Sequence, residues 1–401
     1  MWIALLLTAA PAAATEIGLA EAIARAATGP RLEAQREAIV RRQELDRGIG
    51  GLPANPELRV SPGARSGPDP GPEIQLSLEQ GWSLGGLGTA RRAAAQAERH
   101  TAAASLESLA LSRGLAAAQA WTELWGLERL LAEANADVAL AEALASRTAR
   151  LAQAGERTEA EAAEAKAFRG EAEALRVDVE GRRFEAMLAL AEITAGELGP
   201  ELRTSGEPDF GTSTATTAEL SAAIDQAPEL REASAAAQSS EAHQEELAAS
   251  QAPQLLTGLS WAREATGAQI GLLTLGLRLP IFEGDERGRG RASYEAELAR
   301  AQVAEVRRQS THRLLLATHE VEHAREKELV LRSSLLAAAE AAEQSTSRAE
   351  QAGTATLLEL LWARRRSSTA RRALIEQQAY RFYAQAQLAL LLGARPVRNT
   401  P

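Results

Sequence analysis

His319 and His323 stand four residues apart, with Glu320 and Glu322 between them. On a helix that spacing sets two imidazoles on one face, which is a geometry that can hold a metal ion. A solvated helix face accounts for the same residues, and the expectation is no metal site and no cofactor. Glu156, Glu159, Glu161 and Glu164 crowd one short stretch. Repeated around a symmetric assembly they would make a negative ring that favours cations, and a solvated acidic face explains them equally well. No phosphate-cradling glycine loop and no spacing suggestive of a Ser-His-Asp set stands out. The chain has no cysteine, which removes thiol catalysis, disulfides and cysteine-based zinc. The residues therefore point away from an enzyme.

The chemistry that the sequence does specify is structural. Gly155 is followed by Thr158-Glu159-Ala160-Glu161, and Gly353 by Thr356-Leu357-Leu358-Glu359. Glycine is suited to ending a helix in the left-handed conformation, and Thr-x-x-Glu is a capping box that starts one. Each pair predicts a tight helical hairpin, and Gly155, Thr158, Glu161, Gly353, Thr356 and Glu359 are the candidate contact residues at the two tips. Long helices are expected to lead into them. Ala117, Ala120, Leu124, Leu127, Leu131, Ala134, Val138, Ala141 and Ala145 keep a 3-4 spacing, as do Leu314, Ala317, Val321, Ala324, Leu331, Leu335, Ala338 and Ala342 with Glu328 as an exception. Both read as coiled-coil seams of small residues, so a charge at Leu131 or Leu335 is expected to loosen the packing.

Two further stretches alternate. Ile74, Leu76 and Leu78 share one face of a strand, and Gln75, Ser77 and Glu79 the other; Leu273, Leu275, Leu277 and Leu279 alternate with Thr274, Gly276 and Arg278. With Leu58 and Val60, and with Leu255, Thr257, Leu259 and Trp261, each makes a two-faced β-hairpin. An isolated hairpin is marginal in water, and an open edge is untenable in lipid. Assembly of several chains into a closed barrel resolves both, with Gln75, Ser77, Glu79, Thr274 and Arg278 facing a wet lumen. Trp82, Trp261 and Phe282 are the few aromatics near the strand ends.

These landmarks occur twice in the same order, about 200 residues apart. The expected organisation is a signal peptide over 1–14, a first repeat over 15–195 and a connector over 196–217. A second repeat over 218–393 and a tail over 394–401 follow. Each repeat is expected to open with one helix, near 17–50 and 218–250. The apolar run Ile3 to Leu7 followed by Ala12-Ala13-Ala14 has the form of a secretory signal cut before Thr15. The net charge is −10 and aromatics are 3% of residues, which argues against nucleic acid as a partner and against a large globular core.

The stretch Ser77-Leu78-Glu79-Gln80-Gly81-Trp82-Ser83-Leu84-Gly85-Gly86, leading to Arg91 and Arg92, resembles the strand-to-helix passage of the TolC family of outer-membrane efflux proteins. So does Leu277-Arg278-Leu279-Pro280-Ile281-Phe282-Glu283-Gly284, leading to Arg287 and Arg291. The first form leans toward the branch that serves heavy-metal cation pumps. The resemblance implies a mainly α fold with a small β part: a trimer with a long α-helical barrel and a twelve-stranded β-barrel, four strands from each protomer. It implies a passive channel in the bacterial outer membrane that extends into the periplasm. Its partners would be a periplasmic adaptor protein at the helical tips, an inner-membrane pump of the RND type, and outer-membrane lipid. Export of small molecules or metal ions is the expected role, type I protein secretion or a periplasmic coiled-coil adaptor or scaffold the alternatives. The chain departs from many members in lacking a lipid-anchor cysteine and in having short loops.

Overall fold

A computed structural model describes residues 15–49, 55–194, 202–208, 216–281 and 284–393. The expected signal segment, the tail, most of the connector and Phe282 lie outside the described residues. The elements run in the order β1 (Thr15–Ile17), α1 (Leu19–Ala27), α2 (Pro30–Ile49), β2 (Glu57–Arg65), β3 (Gly71–Ser83), α3 (Leu87–Gln153) and α4 (Glu159–Ile193). The same plan follows as β4 (Leu202–Thr204), α5 (Thr217–Asp225), α6 (Pro228–Ser250), β5 (Gln254–Arg263), β6 (Gln269–Arg278), α7 (Glu286–Val330), α8 (Ala337–Gln351) and α9 (Leu357–Leu391). The chain divides into two compact units, and each draws segments from both halves of the sequence.

The opening helix of each half is two helices, not one. Pro30 and Pro228 each stand at the first position of the second helix. Proline is accepted there because its missing N–H would have no intrahelical partner, whereas in the middle of one continuous helix it would remove a hydrogen bond and clash with the preceding turn.

The first unit comprises residues 1–33, 109–227 and 311–401. Its core gathers Ile17, Ile23, Trp121, Leu124, Leu127, Met187, Leu190, Leu202 and Phe382. The three-residue strands β1 and β4 pair in parallel, a feature the alternation rules do not reach at that length. Side chains of α3 hold them: the Trp121 indole donates to the Ile17 carbonyl at 2.7 Å, and the Thr204 amide donates to Glu128 at 3.3 Å. Burial raises the Glu128 pKa above the usual carboxylate range, and the Thr204 hydrogen bonds and nearby arginines oppose that rise. Arg113 donates to the carbonyls of Ala26 at 3.0 Å and Ile193 at 2.9 Å, closing the carbonyl ends of α1 and α4 with one guanidinium. Gly126 lies where α9 comes close, since a Cβ there would meet the Ala379 methyl at 3.0 Å.

The α3 seam is as expected: Ala117, Ala120, Leu124, Leu127, Ala134 and Ala141 are buried, with Leu131, Val138 and Ala145 half-buried. The second seam is as expected through Leu314, Ala317, Val321, Ala324 and Leu331 and fails beyond, where Leu335, Ala338 and Ala342 are exposed. A π-helical turn, Leu331–Leu336, joins α7 to α8. The wider turn shifts the register, so the more protected positions after Leu331 are Leu336, Ala339, Glu343 and Glu350. Leu335 is 42% exposed, and a charge there would not enter the core. Two carboxylates on this line face inward, Glu328 before the turn and Glu350 after it, and each requires partners. Glu350, with a side chain 3% exposed, meets Arg157 at 2.8 Å and Arg147 at 3.3 Å. Glu328 meets Arg381 at 2.8 Å and Arg332 at 2.9 Å.

The second unit comprises residues 34–108 and 228–310. Its strands form one antiparallel sheet in the order β2-β3-β5-β6, so the hairpins of the two halves lie side by side. Ion pairs tie its helices, including Arg231 to Glu107 and Arg300 to Glu241, each 2.6 Å; exposed pairs of this kind each contribute less than about 1 kcal/mol. Among the described residues no helix is long and apolar enough to cross a membrane.

Candidate functional site: a two-faced sheet and paired helical turns

Register assigns the faces of the sheet. Leu58 opposes Leu78, which opposes Leu259, which opposes Leu273. The neighbouring row on the same face runs Val60, Leu76, Trp261, Gly271, and another runs Trp82, Leu255, Leu277. Leu259 is 63% and Leu273 71% exposed in the single chain. A contiguous apolar face of this extent is untypical of a protein surface in water. Polar groups on it are mostly paired internally: the Trp82 indole donates to Thr257 Oγ1 at 3.0 Å, and that of Trp261 to Gln269 at 3.4 Å.

The opposite face carries Arg59, Ser77 and Ser260 in one row, and Glu57, Glu79, Gly258 and Thr274 in the next. Gln75, Ser77, Glu79, Thr274 and Arg278 all fall on this face. It is also the hollow side, with a cavity floored by Arg59, Gln75, Ser77, Glu79, Ser260 and Thr274. Arg59 and Ser260 escaped the sequence reading because their strands were judged by their apolar positions. Leu272 and Ile270 interrupt the polarity on β6, where they share this face.

In the first unit, both turns form as their residues specify. Gly155 has φ +77° and Gly353 φ +73°, and the next amide closes each helix end: Glu156 to the Leu151 carbonyl at 2.9 Å, Thr354 to that of Ala349 at 2.8 Å. Thr158 then receives the Glu161 amide at 3.1 Å while its own amide donates to Glu161 at 2.9 Å; Thr356 and Glu359 do the same at 3.3 and 2.7 Å. No atom lies within 4 Å of a Cβ placed on Gly155 or Gly353, so alanine meets only the left-handed backbone. Gly155→Ala and Gly353→Ala are each expected to cost about 1–2 kcal/mol, read as faster amide hydrogen exchange confined to the turns.

The capping amides of Thr158 and Thr356, each the leading cause, hold Glu161 and Glu359 below the usual glutamate pKa; Arg157 adds to the effect at Glu161. A carboxylate depressed in the folded state contributes stability that is present above its unfolded pKa and lost as pH falls through the folded one. Acidification below the ordinary glutamate range is therefore expected to loosen both turns, and Glu161→Gln with Glu359→Gln to remove that pH dependence, as measured by hydrogen exchange. The turns also touch: Arg157 follows Gly155, and its partner Glu350 closes α8 before Gly353.

No family model matches the sequence, and no curated protein matches it. Solved structures do match. A membrane protein from Pseudomonas aeruginosa aligns with TM-score 0.80 and 18% identity, covering 95% of this chain and 92% of that one. The outer membrane protein VceC of Vibrio cholerae aligns with TM-score 0.75 and 19% identity, over 94% and 96% of the two chains. The open-state MtrE outer membrane channel of Neisseria gonorrhoeae gives 0.77 and 18%, over 96% and 90%. The chain has an outer-membrane channel fold. At these identities the likeness is one of fold, and it spans nearly the whole length.

The channel fold gives the remaining candidate its setting. His319-Glu320-Val321-Glu322-His323 lies on α7 within the first unit. The run fits the His-Glu-x-x-His pattern of zinc hydrolases, with Val321 and Glu322 as the two intervening residues. Glu320, the position of a general base, is a neighbour of Tyr380 of α9, where burial and then the Glu320 charge raise the phenol pKa above its usual value. Among the described residues no group of three or more metal-ligating side chains converges.

Proposed function

We propose that the chain is one protomer of an exit duct in the bacterial outer membrane, a passive channel of a tripartite efflux system. The observation that carries this reading is the sheet: strands of 9, 13, 10 and 10 residues with one apolar face and an opposite polar face that bears a cavity. Membrane-spanning strands need about 9–11 residues. β2 and β6 are the outer strands of the four, and closed membrane barrels have at least about 8, so copies must join edge to edge. A homotrimer gives the twelve-stranded barrel of the expected assembly. Lipid would meet the row Leu58, Leu78, Leu259, Leu273; Gln75, Ser77, Glu79, Thr274 and Arg278 would line the lumen.

The two turns supply the other contact. Gly155, Thr158 and Glu161, with Gly353, Thr356 and Glu359, would present a rigid paired surface to a periplasmic adaptor, which links the duct to an inner-membrane pump of the RND type. The duct does no chemistry; adaptor binding shifts an equilibrium between closed and open arrangements. Cell fractionation tests the assignment. Recovery from outer membranes only with detergent, as a trimer, supports it; recovery as a soluble monomer without detergent rejects it.

A further inference from the structure

We propose that His319 and His323 chelate a transition-metal dication of the copper, nickel or zinc class. Their rings are stacked, 6.0 Å between centroids and 14° from parallel. Both are exposed, on the side of α7 opposite the buried Leu314, Ala317 and Ala324. Among the described residues no hydrogen bond or ion pair engages either ring, so neither has to give up a partner to bind metal. His312 shares the helix face and is likewise exposed, but seven residues of helix, roughly 10 Å, separate it from His319. Three of the chain's five histidines thus fall within one short stretch of one helix face.

The chemistry follows from the spacing. Two imidazoles one turn apart aim at a single ion, and the backbone fixes them relative to each other before it arrives. The second nitrogen therefore binds as an intramolecular ligand, which raises affinity over one imidazole by about a hundredfold. Imidazole nitrogen selects copper, nickel and zinc over magnesium and calcium, which prefer oxygen. Glu322 and Glu326, three residues beyond each histidine and both exposed, add negative charge beside the pair. With two protein ligands the other positions go to water. The result is an open, exchangeable site, unlike the four-ligand closed sites that fix structure. Among the described residues no third protein ligand converges on the pair, unlike the three-ligand centres of zinc hydrolases. The site stands on the histidine pair and would exist whether or not the chain is a duct.

The test is copper(II) binding to the untagged full-length protein in detergent, followed by titration and by electron paramagnetic resonance. The wild type is expected to bind with a spectrum showing coordinated nitrogen. His319→Ala and His323→Ala should each weaken binding about a hundredfold, His312→Ala should leave it unchanged, and zinc but not magnesium should compete. All three side chains are exposed, and circular dichroism confirms equal helicity. Copper bound equally by wild type and His323→Ala, a spectrum without nitrogen coordination, or no binding by the wild type would each overturn the site.

Discussion

Leu259→Arg is expected to abolish assembly in the outer membrane, while Ser260→Arg, one residue away, is expected to assemble. Leu259 sits in the second strand of the pair joining the two hairpins, flanked across the ladder by Leu78 and Leu273. All three are exposed in the isolated chain, so an arginine there breaks no internal packing. In lipid the same side chain costs about 2–4 kcal/mol at the bilayer midplane, and a symmetric assembly repeats it in every copy. Ser260 lies between Ser77 and Leu272 on the hollow face, where an arginine finds water and Glu79 nearby. The contrast discriminates by sign. If the apolar face stood in water, Leu259→Arg would improve solubility and leave the fold intact. Quantifying heat-stable trimer in purified outer membranes reads the difference.

Trp121→Ala is expected to destabilise the first unit by about 3–5 kcal/mol, the usual range for emptying a buried tryptophan site. Trp121 is fully buried among α1, β1 and α3 residues, next to Leu124 and Leu190. The hydrogen bond is the smaller part. The Ile17 carbonyl also accepts the Ser205 amide at 3.0 Å, so losing the indole leaves it satisfied. Trp121→Phe, which keeps most of the volume, should therefore cost about 1 kcal/mol for the lost bond together with a modest packing loss. Thermal unfolding of the helical signal in detergent ranks the two; equal losses would show that the hydrogen bond, not the cavity, dominates.

What the sequence disclosed, and what it hid, divides along a physical line. Gly155, Thr158 and Glu161, and their counterparts Gly353, Thr356 and Glu359, act within a few residues of themselves, so the turns were legible down to the individual hydrogen bonds. A third box of the same form, Thr216 with Glu219, was there to be read and opens α5. The strand faces were legible because a period of two leaves no choice of register once one face is apolar. The second seam was legible only as far as Leu331. Leu331, Leu335, Ala338 and Ala342 are as apolar as the true line through Leu336 and Ala339, and only the π turn at Leu331–Leu336 chooses between them. That choice is stabilised by distant partners, Arg157 and Arg147 for Glu350. The pairing of β1 with β4 escaped for the same reason, since strands of three residues have no pattern of their own and are held by Trp121 and Glu128 of α3. The histidine pair was visible at once, but its significance needed the fold, which set the rings outward and turned Glu320 toward Tyr380.

The central claim is that copies of this chain close a water-filled conduit through a lipid bilayer. Single-channel recording of the detergent-extracted protein in a planar bilayer tests it most directly. The account predicts discrete, uniform conductance steps that Ser260→Arg alters, because the hollow face lines the pore. A detergent-extracted protein that inserts but passes no current under any applied voltage, even with its turns loosened by Gly155→Ala and Gly353→Ala, would contradict it.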